Sequence, residues 1–238
     1  MKGPKDGVIK ASFSGCSIEE RETFHLSHAM ILISVGQSYH ENEKMVATLD
    51  LIERKFKKYT FIVADTLQRH NIGLRSGLNE NESLLLAKKN GEIWIKTYLQ
   101  DIQNRKGFFE VKRWDDYLKS KEFKDKLNII NKITENEEHS ISKGIISSVN
   151  EYMRRGSREN MSSKDRAIQE KACTTYLKEE CAIMLLWVDD GFNFEVYPTA
   201  RNAAMEATYN TLILPHHKDI LAPVNLRFKR YSRKTISV

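Results

Sequence analysis

The segment Ala29–Val35, Ala-Met-Ile-Leu-Ile-Ser-Val, constrains the fold more than any other part of the chain. Its apolar residues run consecutively instead of alternating, as in a strand buried on both faces of a parallel sheet covered by helices. After Gly36-Gln37-Ser38, residues Met45, Val46, Leu49, Ile52 and Phe56 recur at helical spacing with lysines outside. Tyr59–Asp65 (Tyr-Thr-Phe-Ile-Val-Ala-Asp) then repeats the buried-strand pattern. Strand, helix and strand in that order open a Rossmann-like α/β sheet, mostly parallel.

Further along, Asn79–Gln103 reads as a helix with Leu84, Leu85, Ile93, Ile95, Tyr98 and Leu99 on its apolar side. Phe108–Trp114 reads as a third strand. Long helices follow over Asp115–Asn136, Ser140–Arg155 and Ser163–Val188. Phe192–Tyr197 reads as another strand, closed by Pro198, and a helix follows from about Asn202 to Leu212. No clear pattern governs the tail after Pro215. The expectation is a single domain over 1–238, with 1–24 and 227–238 as flexible ends. A chain of 238 residues can bury such a core without disulfides or metals.

Several classes are excluded. The longest apolar run, Cys181–Val188, has eight residues, far short of a membrane span. Met1-Lys2-Gly3-Pro4-Lys5-Asp6 is no secretory signal, and Cys16, Cys173 and Cys181 are too scattered for a disulfide framework or zinc cluster. A reduced, cytoplasmic protein is expected. His216-His217 lacks metal-ligand spacing. With no phosphate-cradling glycine loop, nothing points to a nucleotide, cofactor or metal. Met161-Ser162-Ser163-Lys164 is similar to the signature loop of class I aminoacyl-tRNA synthetases, but His70-Asn71-Ile72-Gly73 lacks the second histidine of the companion motif. ATP adenylation thus has no visible machinery, and Ser162 or Ser163 reads as a helix N-cap.

Charge points outward. Lys and Arg total 38 against 32 Asp and Glu, a net charge of +6. Twelve basic residues face seven acids between Lys88 and Lys132, and Arg227–Lys234 holds five basic residues and no acid. Solvated helix faces account for such stretches, and so does a partner with a phosphate backbone.

In open α/β sheets ligands sit beyond the carboxyl ends of the strands. Those ends read Ser34-Val35-Gly36, Asp65-Thr66-Leu67-Gln68 and Tyr197-Pro198. Ser34 alone reads as a capping residue or as a nucleophile with backbone amides after it. An esterase elbow would need glycine where Leu32 stands, which counts against a serine hydrolase. Tyr176 and Glu180 share one helix face, as a surface pair or as a grip for an ammonium group. Tyr197 reads as an aromatic cap or a site residue, and Glu195 shares its side of the strand.

Taken together and in order, Ile33-Ser34-Val35-Gly36-Gln37-Ser38-Tyr39, Asp65-Thr66-Leu67-Gln68-Arg69-His70, Arg113-Trp114-Asp115, Tyr176-Leu177-Lys178-Glu179-Glu180 and Tyr197-Pro198 resemble the cyclodipeptide synthases. The resemblance spans roughly Leu26–Ala203. Gln37, where one subfamily carries asparagine, and the Tyr197-Pro198 pair resemble the other subfamily. It implies a monomer with a Rossmann-like fold related to class I synthetase catalytic domains. It also implies a cyclic dipeptide made from two aminoacyl-tRNAs without ATP, cofactor or metal. Ser34 would carry the aminoacyl group, Tyr176 and Glu180 would hold its amino group, and Tyr197 would relay protons. A second charged tRNA then gives a dipeptidyl-enzyme that cyclises. Gly36, Gln37, Asp65, Glu195 and Pro198 are expected around the substrates. The two acids suggest a polar or basic amino acid such as histidine. Lys88, Lys89 and Lys96 lie in the tRNA-binding region, where binding would weaken by about 0.7–0.9 log units per phosphate per log unit of salt. His28 and His40 lie near Ser34 in sequence, with nothing to set their rings against it. The other function considered is a non-catalytic tRNA- or RNA-binding protein with a synthetase-like fold.

Overall fold

The computed structural model describes residues 7–156 and 162–232. Six strands form one sheet: β1 (Val8–Ser14), β2 (His28–Ser34), β3 (Lys58–Ala64), β4 (Phe108–Arg113), β5 (Phe194–Tyr197) and β6 (Ala222–Tyr231). Their order is β1-β6-β5-β2-β3-β4, parallel throughout except for the antiparallel β1–β6 pair at one edge. The chain winds outward from β2 through β3 to β4, then returns to the other side of β2 as β5 and continues to β6. The reversal lies between β2 and β5, and at such a switch point the connections diverge and leave a crevice.

Among the described residues nine α-helices connect these strands: α1 (Ile18–Thr23), α2 (Asn42–Lys55), α3 (Arg69–Ser76), α4 (Glu80–Gln103), α5 (Trp114–Leu118), α6 (Lys121–Thr134), α7 (Ser140–Gly156), α8 (Ser163–Asp189) and α9 (Ala203–Thr208). The consecutive apolar run of β2 divides between two cores. Met30 and Leu32 join Ile62, Ala64 and the helices α5–α9 on one face, while Ala29, Ile31 and Ile33 join Phe61, Val63, α2 and α4 on the other. A strand buried on both sides is what this division requires. α8 carries the run Cys181–Trp187 through the first core, with Trp187 fully buried edge-on to Trp114.

Three expectations change. The helix expected over Asp115–Asn136 is two, because Ser120 caps a new start by accepting from the Phe123 amide at 3.2 Å. The apolar side expected for α4 is only partly its packed one, with Leu84, Ile95 and Leu99 half-buried and Tyr98 in the core. Leu85 and Ile93 are exposed, whereas Ser83, Ala87, Gly91, Trp94, Tyr98 and Ile102 are buried. Small residues are needed there because a Cβ on Gly91 would collide with the Asp65 carboxyl. Finally, residues 8–14 and 222–231, placed in or beside the expected loose ends, pair as β1 and β6. Lys234 and the rest of the basic tail past residue 232 lie outside the described residues, as does Met161; Ser162 does cap α8, its hydroxyl accepting from the Asp165 amide at 3.1 Å.

Candidate active site

Ser34 is the last residue of β2 and Tyr197 the last of β5, so the two strands flanking the switch point each end on a hydroxyl. Ser34, Tyr197, Glu195, Met30 and Leu32 share one face of the sheet by strand alternation. β5 stops one residue beyond the Ile31–Val196 pair, and the Tyr197 ring reaches up to Ser34. The hydroxyls are 2.9 Å apart, and the Tyr39 hydroxyl lies 2.8 Å from that of Tyr197. Burial pushes the Tyr197 phenol well above its ordinary range, so it keeps its proton. A chain of hydroxyls Tyr39–Tyr197–Ser34 can pass a proton.

Neither nearby histidine activates the serine hydroxyl. His28 sits at the far end of β2, its Nε2 2.8 Å from the Thr60 hydroxyl. His40 does touch Ser34, but at the backbone: the Ser34 amide donates to Nδ1 at 2.9 Å. That bond places the ring proton on Nε2, which is buried and has no hydrogen-bond partner among the described residues. Burial lowers the His40 pKa to about 3, so the ring stays neutral. The indole Nε1 of Trp94 donates to the His40 carbonyl at 3.0 Å, and the His40 imidazole packs on Tyr39 and Tyr197. His40 thus braces the end of β2.

Directly after Ser34, Gly36 adopts φ +83°, where L side chains are strained, and no atom lies within 4 Å of the place its Cβ would occupy. The turn opens onto a cavity of about 170 Å³ lined by Gly36, Gln37, Gln68, Asn71 and Asn90 with Asp65 beneath. Asp65 is itself sealed. Its Oδ1 accepts from the Thr66 amide at 2.7 Å and its Oδ2 from Arg113 Nε at 2.7 Å.

Tyr176 and Glu180 come from α8, which lies under the same face. Glu180 is buried and its pKa is raised to about 7, first by loss of hydration, then by the nearby carboxylates of Glu195 and Glu179. Asn202 Nδ2 donates to Glu180 Oε2 at 2.7 Å. Tyr176 is hydrogen-bonded to Gln68, and burial together with the Glu180 charge raises its phenol well above the ordinary value. Glu180 also bears on Tyr197. One turn of α8 therefore places a phenol and a poised carboxylate beside the Ser34–Tyr197 pair, a set suited to an ammonium group and a nearby acyl ester. The two buried thiols nearby, Cys173 and Cys181, are pushed up to about 11 and 12 by the same loss of hydration and offer no competing nucleophile at neutral pH.

A cyclodipeptide synthase from Fluoribacter dumoffii matches 95% of the chain and 100% of its own length, at 36% identity and a TM-score of 0.88. The chain belongs to the cyclodipeptide synthases. A synthase from Candidatus Glomeribacter gigasporarum, solved bound to Phe-tRNAPhe, shares the fold at 16% identity and a TM-score of 0.66 over 89% of this chain and 91% of that one. So does a Mycobacterium tuberculosis protein whose structure relates these enzymes to type I tRNA synthetases, at 12% identity and 0.65 over 96% and 97%. No family model and no curated protein matches the chain.

Within this synthase fold, the residues singled out in the sequence divide into two groups. Ser34, Gly36, Gln37, Tyr176, Glu180 and Tyr197 gather around the switch point, while Pro198 is half-buried and ends β5. Glu195 is buried on the same face of the sheet. It is bound by Arg201 through Nε and Nη2, each at 2.7 Å, in an internal ion pair. On α4, Lys89 and Lys96 are exposed, whereas Lys88 reaches Asp115 at 3.4 Å. No cluster among the described residues could hold a metal ion, and no described helix is long and apolar enough to cross a membrane. Tyr39, His40 and Asn202 lacked a distinguishing sequence signal. His40 comes within hydrogen-bond reach of Ser34 only because the turn after β2 folds back.

Proposed function

We propose that the chain joins two aminoacyl groups, delivered as aminoacyl-tRNAs, into a cyclic dipeptide through an ester on Ser34. The observation that carries this reading is the Ser34–Tyr197 hydroxyl pair at the switch point, with a carboxylate titrating near neutrality buried beside it. The family relative solved with Phe-tRNAPhe supports charged tRNA as the substrate. An aminoacyl ester is already activated, so a serine without a histidine base is adequate for its transfer.

Ser34 Oγ attacks the first ester carbonyl. The acyl–ribose bond breaks, and the serine proton reaches the departing ribose oxygen through Tyr197. Glu180 and Tyr176 hold the ammonium of the group now on Ser34. An α-ammonium has an ordinary pKa of about 7.7–8.0, close enough to the value of about 7 at Glu180 for the proton to move to the carboxylate. The freed amine attacks the carbonyl of the second aminoacyl-tRNA, and the second ribose oxygen leaves with a proton. The dipeptide now on Ser34 carries a new terminal amine. Its attack on the serine ester forms the second amide, closes the ring and returns a proton to Ser34. Gly36, Gln37, Gln68 and the cavity beyond them line the space for one aminoacyl side chain. Its amide-rich wall suits a polar one, such as histidine.

Mass spectrometry tests the reading. Cells expressing the chain should release a cyclic dipeptide that is absent with Ser34→Ala, and charged tRNA should leave an aminoacyl adduct on Ser34. RNA binding without product or adduct would instead leave a non-catalytic RNA-binding protein. Lys89→Glu with Lys96→Glu should raise KM for tRNA and flatten its salt dependence by about one to two log units per log unit of salt. Lys88 is a poorer probe because it also holds Asp115.

A further inference from the structure

Glu180 meets the loop that joins β5 to α9. Asn202 ends that loop and uses both halves of its amide: Oδ1 accepts from the Met205 amide at 2.9 Å, capping α9, and Nδ2 donates to Glu180 at 2.7 Å. Its neighbour Arg201 fixes the loop from below. Arg201 pairs with Glu195 on β5, donates through Nη2 to the Leu221 carbonyl, and stacks its guanidinium over the Tyr209 ring at 4.2 Å. Because 201 and 202 are consecutive, the ion pair on the strand determines where the amide meets the acid on the helix. We propose that Asn202 is a positioning residue of the reaction, presented by the Arg201–Glu195 anchor, and that it sets the orientation and charge of the carboxylate receiving the substrate's amino group. The proposal rests on the role given to Glu180 above.

Physical reasons favour an amide at this position. Six titratable groups bear on Glu180: Cys173, Tyr176, Glu179 and Cys181 from its own helix, and Glu195 and Tyr197 from β5. Arg201 is engaged with Glu195. A lysine or arginine in place of Asn202 would pair with Glu180 permanently and compete with the substrate ammonium. Leucine or alanine would leave the carboxylate without its donor, favouring the neutral acid. A neutral amide lets the carboxylate ionise while leaving its charge for the ligand. The side-chain N–H favours the ionised form, which opposes the effects of burial and the neighbouring acids.

The test is the pH dependence of Ser34 aminoacylation and cyclic dipeptide formation at subsaturating aminoacyl-tRNA, for wild type, Asn202→Ser, Asn202→Asp and Glu180→Gln. Serine and aspartate both cap helices, so α9 keeps its start, and melting temperatures report on the fold. Loss of a hydrogen bond to a charged group should move the acid limb of the rate profile upward by about one to two pH units in Asn202→Ser. Asn202→Asp, which adds a negative charge, should move it at least as far. Acid limbs unmoved in both variants, with only melting temperature or amplitude reduced, would overturn the proposal and leave Asn202 as a helix cap. If Glu180→Gln keeps the wild-type acid limb, the role of Glu180 fails instead, whatever the Asn202 variants do.

Discussion

Glu179 and Glu180 are neighbours on α8 and both are buried, yet their surroundings treat them in opposite ways. Glu179 is surrounded by donors. Arg69 holds both of its oxygens, Trp114 Nε1 donates at 2.8 Å, and His70 Nε2 lies at 3.3 Å. Despite burial, which pushes the other way, these partners hold its carboxyl below the ordinary range. Glu180 receives one neutral amide and sits near other acids, and its pKa rises to about 7. A buried acid already answered by a cation serves as a strut between α3, α5 and α8. One left without a cation has its charge available for something that arrives. Charge alone would have marked the pair as equivalent; their partners separate them.

Removing the partner of the strut should have the largest effect. Arg69→Met leaves a buried charge facing only the tryptophan and histidine donors, and should cost about 3–5 kcal/mol of unfolding free energy by urea titration. Because Glu179 is lowered, its stabilisation is present above the unfolded value of 4.5 and lost as pH falls through the lower native one. The gap between variant and wild type should therefore narrow in acid. A loss below about 1 kcal/mol at pH 7 would mean that the two glutamates are not treated differently.

Glu180→Gln acts on the other side of the contrast and should have the opposite sign. A native value of about 7 against 4.5 unfolded means that ionising Glu180 costs the fold stability, a cost absent below pH 4.5 and complete once pH has risen through 7. The glutamine variant should match wild type at pH 4.5 and exceed it by up to about 3 kcal/mol at pH 8.5. Cyclic dipeptide formation should fall by about 100-fold or more. Equal stability at both pH values would show that Glu180 is not strained by its charge.

What could be read in the sequence follows the range of the interactions. Ala29–Val35 and Tyr59–Asp65 announce β2 and β3 because burial on both faces replaces polar–apolar alternation with nearly continuous apolar runs. Ser34 and Tyr197 follow once strand ends are known. β6 was hidden by its basic residues: Val224 and Leu226 are buried while Asn225, Arg227 and Lys229 alternate with the apolar positions, so a strand with period two resembled a charged tail. Tyr98 and Ile95 mark part of the packed side of α4, and the rest is hidden for a different reason. Close approach to Asp65 selects glycine at 91, and Ser83 and Ala87 are buried on the same helix, small residues that a hydrophobic pattern does not register. Strand alternation gives the side of the sheet that Glu195 takes but not its ion pair with Arg201, six residues further on. Helix spacing from Tyr176 singles out Glu180 over Glu179, but the opposite electrostatics of the two acids are not legible, since Arg69 lies 110 residues from one and Asn202 lies 22 from the other.

His40 tests whether uncharged groups suffice at Ser34. His40→Ala leaves the buried Ser34 amide without an acceptor, which should cost about 1–3 kcal/mol of stability and lower kcat. The ring titrates near 3, so its removal should not erase any limb of the rate profile between pH 5 and 8. Disappearance of such a limb would make His40 a proton carrier after all, and would place a second titrating group beside Glu180.

The smallest effect is expected from Tyr39→Phe. It breaks the 2.8 Å bond to Tyr197 while leaving the 2.9 Å bond to Ser34 in place. Loss of one neutral hydrogen bond corresponds to about a twofold to tenfold fall in kcat. Tyr197→Phe removes the hydroxyl next to Ser34 itself and should cost considerably more than Tyr39→Phe, with both variants retaining the Glu180 acid limb. If the two substitutions cost the same, the proton travels along the whole Tyr39–Tyr197–Ser34 chain and out toward solvent. If only Tyr197 matters, the relay ends there, and the proton passes between Ser34 and the ribose oxygen within the closed part of the site.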